Sequence, residues 1–141
     1  MIARILNINF GYSNILKTLY KQGKINPPDF YSGLPLDKDT VSLEHLKPHS
    51  QGGKTTINNT VLTSAKNNNL RGNKPLIEFF SPENAKKYFD YFTNLIVPYK
   101  EKGKNKIFYG DTHVAELKKQ YQICWKITNN MLIYNCSDGL C

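Results

Sequence analysis

Between residues 43 and 73 an acid, a histidine and two asparagines occur in an order that suits phosphodiester hydrolysis. Glu44 and Asn68 offer hard oxygen donors to a divalent cation. His45, beside the acid, offers an imidazole that titrates near neutrality and can take a proton from water. Asn59 carries a side-chain amide able to brace a loop from within. Cutting a phosphodiester needs an activated water, neutralisation of the non-bridging oxygens and help for the departing sugar oxygen. One base and one cation supply all three.

The same window places Pro48, Gly52 and Gly53 in the stretch after the acid–histidine pair. Leu62 follows Asn59 at a three-residue step, and Arg71 and Gly72 close the run that Asn68 opens. With these positions, roughly residues 30 to 75 resemble the HNH endonuclease family. The resemblance implies an α+β chain built on a ββα-metal core, with an N-terminal helix and C-terminal helices packed around it. It implies that Glu44 and Asn68 hold the metal, that His45 is the general base and that Asn59 fixes the loop beside it. The implied reaction is hydrolysis of DNA, duplex first, with Mg²⁺ as the cation, Mn²⁺ as a substitute, and 5′-phosphate and 3′-hydroxyl ends. Many members hold a structural zinc with two Cys-x-x-Cys pairs. The corresponding stretches here, near residues 30–33 and 64–67, contain no cysteine. No structural zinc is therefore expected, and packing by Phe30, Tyr31, Leu34, Leu36, Leu43 and Leu62 is expected in its place. Glu44 stands where Asp is commoner, which lengthens that ligand by one methylene.

Three asparagines run together, and the family's offset to Arg71 and Gly72 selects Asn68 from among Asn67, Asn68 and Asn69. On a helix the other two point about 100° to either side. Lys66, Arg71 and Lys74 are close enough in sequence to form a phosphate-facing patch, and Lys47 and His49 are further candidates for nucleic-acid contact. The bland alternative for such charges is a solvated surface. The formal charge is +8, from 19 basic and 11 acidic residues, and Arg4 and Arg71 are the only arginines. Lysine meets phosphate as a point charge, whereas the arginine fork reads base edges, so backbone attraction is expected to outweigh base reading. Two rivals to a DNA endonuclease stand beside it: a catalytically silent nucleic-acid-binding module of the same fold, and a nuclease acting mainly on RNA or structured junctions.

The elements that must position these residues follow from periodicity. Apolar residues at helical spacing over 12–20, halted by Gly23, predict a short N-terminal helix. Residues 30–36 read as a turn-rich first strand, 40–45 as a second, 47–58 as a surface loop and 60–63 as a brief extended piece. Ser64 is placed to cap a helix over 65–71 that closes at Gly72. Strand alternation puts Glu44 and His45 on opposite faces, so a twist or bulge is expected at the pair. Pro82 opens a helix whose apolar stripe runs through Leu95 and Ile96 to Pro98. Residues 97–106 read as a basic linker. Asp111 and Thr112 can cap another helix carrying Val114, Leu117, Tyr121 and Trp125, and residues 131–134 suggest a last strand.

At 141 residues, with 40% hydrophobic and 12% aromatic content, the chain is expected to fold as one domain, with its C-terminal helical part at about 81–128. Cys124, Cys136 and Cys141 show neither framework nor zinc spacing, which fits a reducing compartment. No run reaches signal-peptide or membrane-span length, so a cytoplasmic protein with no membrane partner is expected.

Overall fold

The computed structural model describes residues 15–121, 126–128 and 131–133, and its class is α+β. The first helix, α1 (Ile15–Lys21), buries Ile15, Leu16, Leu19 and Tyr20 on one face. It ends as a helix must when glycine follows. Gly23 sits at φ 73°, its N–H bonds Tyr20 O, and the Lys24 N–H bonds Leu19 O, which satisfies two otherwise orphaned carbonyls. Ser13 and Asn14, suited by type and position to cap this helix, lie outside the described residues.

Residues 30–36 do not form the expected first strand. A single bridge joins Pro28 to Pro35, and between them the Asp29 carboxylate takes the backbone N–H groups of Tyr31 and Ser32. An aspartate that captures its neighbours' donors closes a turn and withholds them from a ladder. Phe30 and Tyr31 are nonetheless buried, as is Leu62; Leu36 and Leu43 are packed at the edge of the core, and Leu34 is 64% exposed, so it contributes nothing to it. Phe30 stands at the centre of a cluster of rings, with Tyr31, Phe80, Tyr88 and Phe89 at centroid distances of 5.2–5.9 Å.

The central hairpin pairs β1 (Val41–His45) with β2 (Thr60–Ser64), antiparallel and in unbroken register from Val41↔Ser64 to His45↔Thr60. Of the twist or bulge expected at Glu44 and His45, the unbroken register excludes the bulge. Helix α2 (Ala65–Arg71) starts directly from β2, with the Ser64 hydroxyl accepting from Asn67 N and Gly72 closing the far end through its N–H to Asn68 O. The spacing of cap and stop in the sequence is the spacing in space.

After a single helical turn, α3 (Leu76–Phe79), helix α4 (Pro82–Phe92) buries Ala85, Tyr88, Phe89 and Phe92. It stops sooner than the apolar stripe suggests: Asn94 takes φ 69° and turns the chain into β3 (Ile96–Glu101), paired with β4 (Lys104–Tyr109). Residues 97–106 are thus a hairpin and not a linker. Val97, Tyr99 and Phe108 face inward, while Ile96, Pro98 and Ile107 face out. Its turn residues Lys102 and Gly103 both have positive φ, the requirement of a two-residue type I′ turn. Helix α5 (Gly110–Tyr121) packs His113, Val114 and Leu117 inward. Gly110 is required where it stands, because a Cβ there would lie 2.2 Å from Phe92 O. Lys126–Thr128 (β5), read from sequence as the tail of a helix, pairs instead with Met131–Ile133 (β6). Trp125 and all three cysteines lie outside the described residues. Among the described residues no helix is long and apolar enough to cross a membrane.

Candidate active site

His45 is the last residue of β1 and Asn59 immediately precedes β2, so the two flank the mouth of the loop that joins the strands. Asn59 pins that loop from inside. It is 6% exposed; its Oδ1 accepts from Lys47 N at 2.9 Å, and its Nδ2 donates to Lys47 O at 3.1 Å and Lys54 O at 2.8 Å. The Tyr121 hydroxyl, arriving from the end of α5, donates to the same Oδ1. A polar loop with few apolar anchors is thereby held at both ends by one side chain. Gly53 lets the two ends meet, since a Cβ there would come within 1.8 Å of Lys47 O.

Inside this frame His45 is half-buried and its Nε2 lies 2.7 Å from the Thr55 hydroxyl. Burial, then the neighbouring His49, push the imidazole below its usual titration range, so the ring is neutral at neutral pH. The His49 ring lies 6.0 Å from it, and His49 itself is exposed. Thr55 carried no motif signal; its part follows only from the folded loop.

Glu44 lies on the other face of β1. It is 5% exposed, and its Oε2 accepts from the Tyr31 hydroxyl at 2.8 Å and stands 3.5 Å from Arg71 Nη1. Burial raises the tendency of this carboxyl to hold its proton, while Tyr31 and Arg71 act in the opposite sense. The Arg71 guanidinium also donates to His45 O, Leu46 O and Lys74 O at 2.7–3.0 Å. Arg71 is 2% exposed and its fork is turned inward onto these partners, so it does not face phosphate. Lys66 and Lys74 are exposed, and Lys74 Nζ donates to Leu70 O at the end of α2, where a cation favours the helix dipole.

Asn68 sits over the same face of β1 as Glu44. Its Nδ2 donates to Ser42 Oγ at 2.7 Å and to Leu43 O, which directs Oδ1, the atom a metal would use, away from those partners. Its neighbours diverge, as helical geometry requires: Asn67 Nδ2 donates to Asp29 Oδ2 at 2.8 Å, whereas Asn69 is exposed. Asp29 is a centre that sequence reasoning passed over. Burial would raise its pKa, but bonds from Thr63, Tyr31, Asn67 and Ser64 outweigh that and keep it below the usual carboxylate range. It ties the 29–34 turn to the junction of β2 and α2.

Glu44 and Asn68 therefore lie over the same face of β1, each bonded to partners of its own, with His45 on the opposite face. In ligand type a carboxylate and an amide oxygen fit a hard divalent cation. Such an ion would share Glu44 with a guanidinium. Among the described residues no group of three or more His, Cys, Asp or Glu side chains gathers as a metal cluster. No family model, curated protein or solved structure matches the chain.

Proposed function

We propose that this protein is a divalent-cation-dependent endonuclease acting on DNA, with His45 as general base. The observation that carries the reading is the construction around His45: a neutral, half-buried imidazole at the end of β1, oriented by a hydroxyl on a loop that Asn59 pins to both strands. A residue needed only for backbone attraction has no use for so fixed an orientation.

In the neutral ring one nitrogen donates and the other accepts. In the tautomer that donates Nε2–H to Thr55 Oγ1, Nδ1 keeps the lone pair and takes the proton from water. The hydroxide so formed attacks phosphorus, the bond from phosphorus to the 3′ oxygen breaks, and the products are a 5′-phosphate and a 3′-hydroxyl. Glu44 and Asn68 would hold the cation, which supplies neutralisation of the phosphate oxygens and of the leaving oxygen. The end of a strand is where side chains from opposite faces can reach one ligand, so a phosphate lying across the end of β1 needs no bulge to meet both His45 and Glu44. Arg71 and Tyr31 hold the Glu44 carboxylate in place for that purpose.

The rival, a silent binding module, is favoured by one observation: the Glu44 charge is already answered by Arg71. Plasmid DNA and RNA incubated with Mg²⁺, Mn²⁺ or EDTA separate the two. The enzyme cuts DNA with a divalent ion and is silent in EDTA. His45→Ala should then lower cleavage by roughly 10² to 10⁴ with DNA affinity nearly intact. Wild-type protein that binds DNA and cuts neither polymer with any ion would refute the proposal.

A further inference from the structure

Between the loop and the end of α5 lies an open cavity of about 250 Å³, lined by Lys47, Lys54, Thr56, Asn58, Gln120 and Tyr121 among others. No carboxylate borders it, and among the described residues neither lysine has an acidic partner. Two of its side-chain acceptors are already engaged. The Thr56 hydroxyl donates to Asn58 Oδ1, and Asn59 Oδ1 already takes Lys47 N and the Tyr121 hydroxyl. Two lysines and the neutral amides of Asn58 and Gln120 are left to meet a ligand there. Two cations and amide donors without a counter-charge make a site for an oxyanion.

The cavity is joined to the candidate active site through a single residue. Lys54 and Thr56 border the cavity, and Thr55 between them holds the His45 ring. We propose that this cavity is a second phosphate subsite, taking a backbone phosphate of the same nucleic acid that lies across His45, and so setting where along the strand the scissile bond falls. This rests on the nuclease reading of the His45 site for its purpose, though not for its chemistry.

The test is binding of a short fluorescein-labelled DNA duplex to the full chain in EDTA, by anisotropy over a range of salt. For the variant Lys47→Gln/Lys54→Gln we expect about tenfold weaker binding and a log–log salt slope shallower by about 1, the loss of roughly one phosphate contact. Lys38→Gln/Lys100→Gln removes the same charge elsewhere and should leave the slope as in wild type. Gln120→Trp, which fills the cavity at constant charge, should also weaken binding. Inorganic phosphate should shift the backbone amide resonances of residues 52–56 in wild type and not in the Lys47→Gln/Lys54→Gln variant. An unchanged slope in that variant, or an equal loss in both charge variants, overturns the subsite. A wild-type protein that cuts DNA while Lys47→Gln/Lys54→Gln binds normally removes the subsite and leaves the nuclease. One that binds with these slopes and never cuts does the reverse.

Discussion

The Thr55 hydroxyl engages Nε2 of His45 and so holds the ring in place. Thr55→Val preserves the shape and removes the hydrogen-bond partner, so the ring is free to turn; cleavage should fall by about tenfold or more while duplex affinity stays put, and Thr55→Ser should restore it. The ring's lowered pKa sets a pH profile. The base acts when unprotonated, so the cleavage rate should climb with pH through a value below 6.5 and be flat at neutrality. His49→Gln removes a like charge, so the acid limb should move to higher pH; a limb that stays where it is would place His45 outside the influence of His49. Arg71 answers a different question. Arg71→Met leaves Glu44 buried without its partner and should cost about 3–5 kcal/mol in urea unfolding. Because the guanidinium is buried, folded Arg71→Met protein should keep the wild-type salt slope for DNA.

Elements deliver these residues, and a second histidine shows how. His113 on α5 is fully buried, its Nδ1 2.9 Å from Ile57 O and its Nε2 3.0 Å from the Tyr88 hydroxyl. A carbonyl only accepts, so Nδ1 carries the proton, Nε2 accepts from Tyr88, and the ring must be neutral. Burial lowers its pKa to about 4. The unfolded chain therefore binds the proton more tightly, and stability present above pH 6.5 is lost as pH falls from 6.5 towards 4, by on the order of 3 kcal/mol. Chemical denaturation at pH 7 and pH 4.5 measures this, and His113→Phe should lose the His113 part of the pH dependence. Sequence alone gave this residue no role, since a lone histidine near a helix start has no pattern. The legible parts were those with local causes. Ser64 and Gly72 bound α2 because cap and stop act within one turn, and β1 and β2 follow from their β-branched runs. The hairpin of β3 and β4 was missed because Leu95 and Ile96 extend the helical stripe of α4, and only Lys102 and Gly103 betray a type I′ turn. The site's inner face was missed because Arg71 reads as a phosphate-facing charge and Asp29 belongs to no pattern until tertiary packing closes over them.

At the scale of the molecule, the +8 charge and the scarcity of arginine predict that DNA affinity tracks salt far more than sequence. Exchanging base pairs in a duplex should change affinity little, whereas raising salt from 50 to 200 mM should weaken it by an order of magnitude or more. Strong discrimination between duplexes of equal length would contradict that. The loop between β1 and β2 is secured from outside the motif: His113 grips Ile57, and Tyr121 grips Asn59. Every recognisable motif residue lies before position 75, yet two of the side chains that keep the loop in shape arrive from α5. The motif is consequently not portable. A graft of residues 30–75 into another scaffold would carry the whole signature without its fastening, whereas a donor segment extended through Tyr121 would bring both grips along.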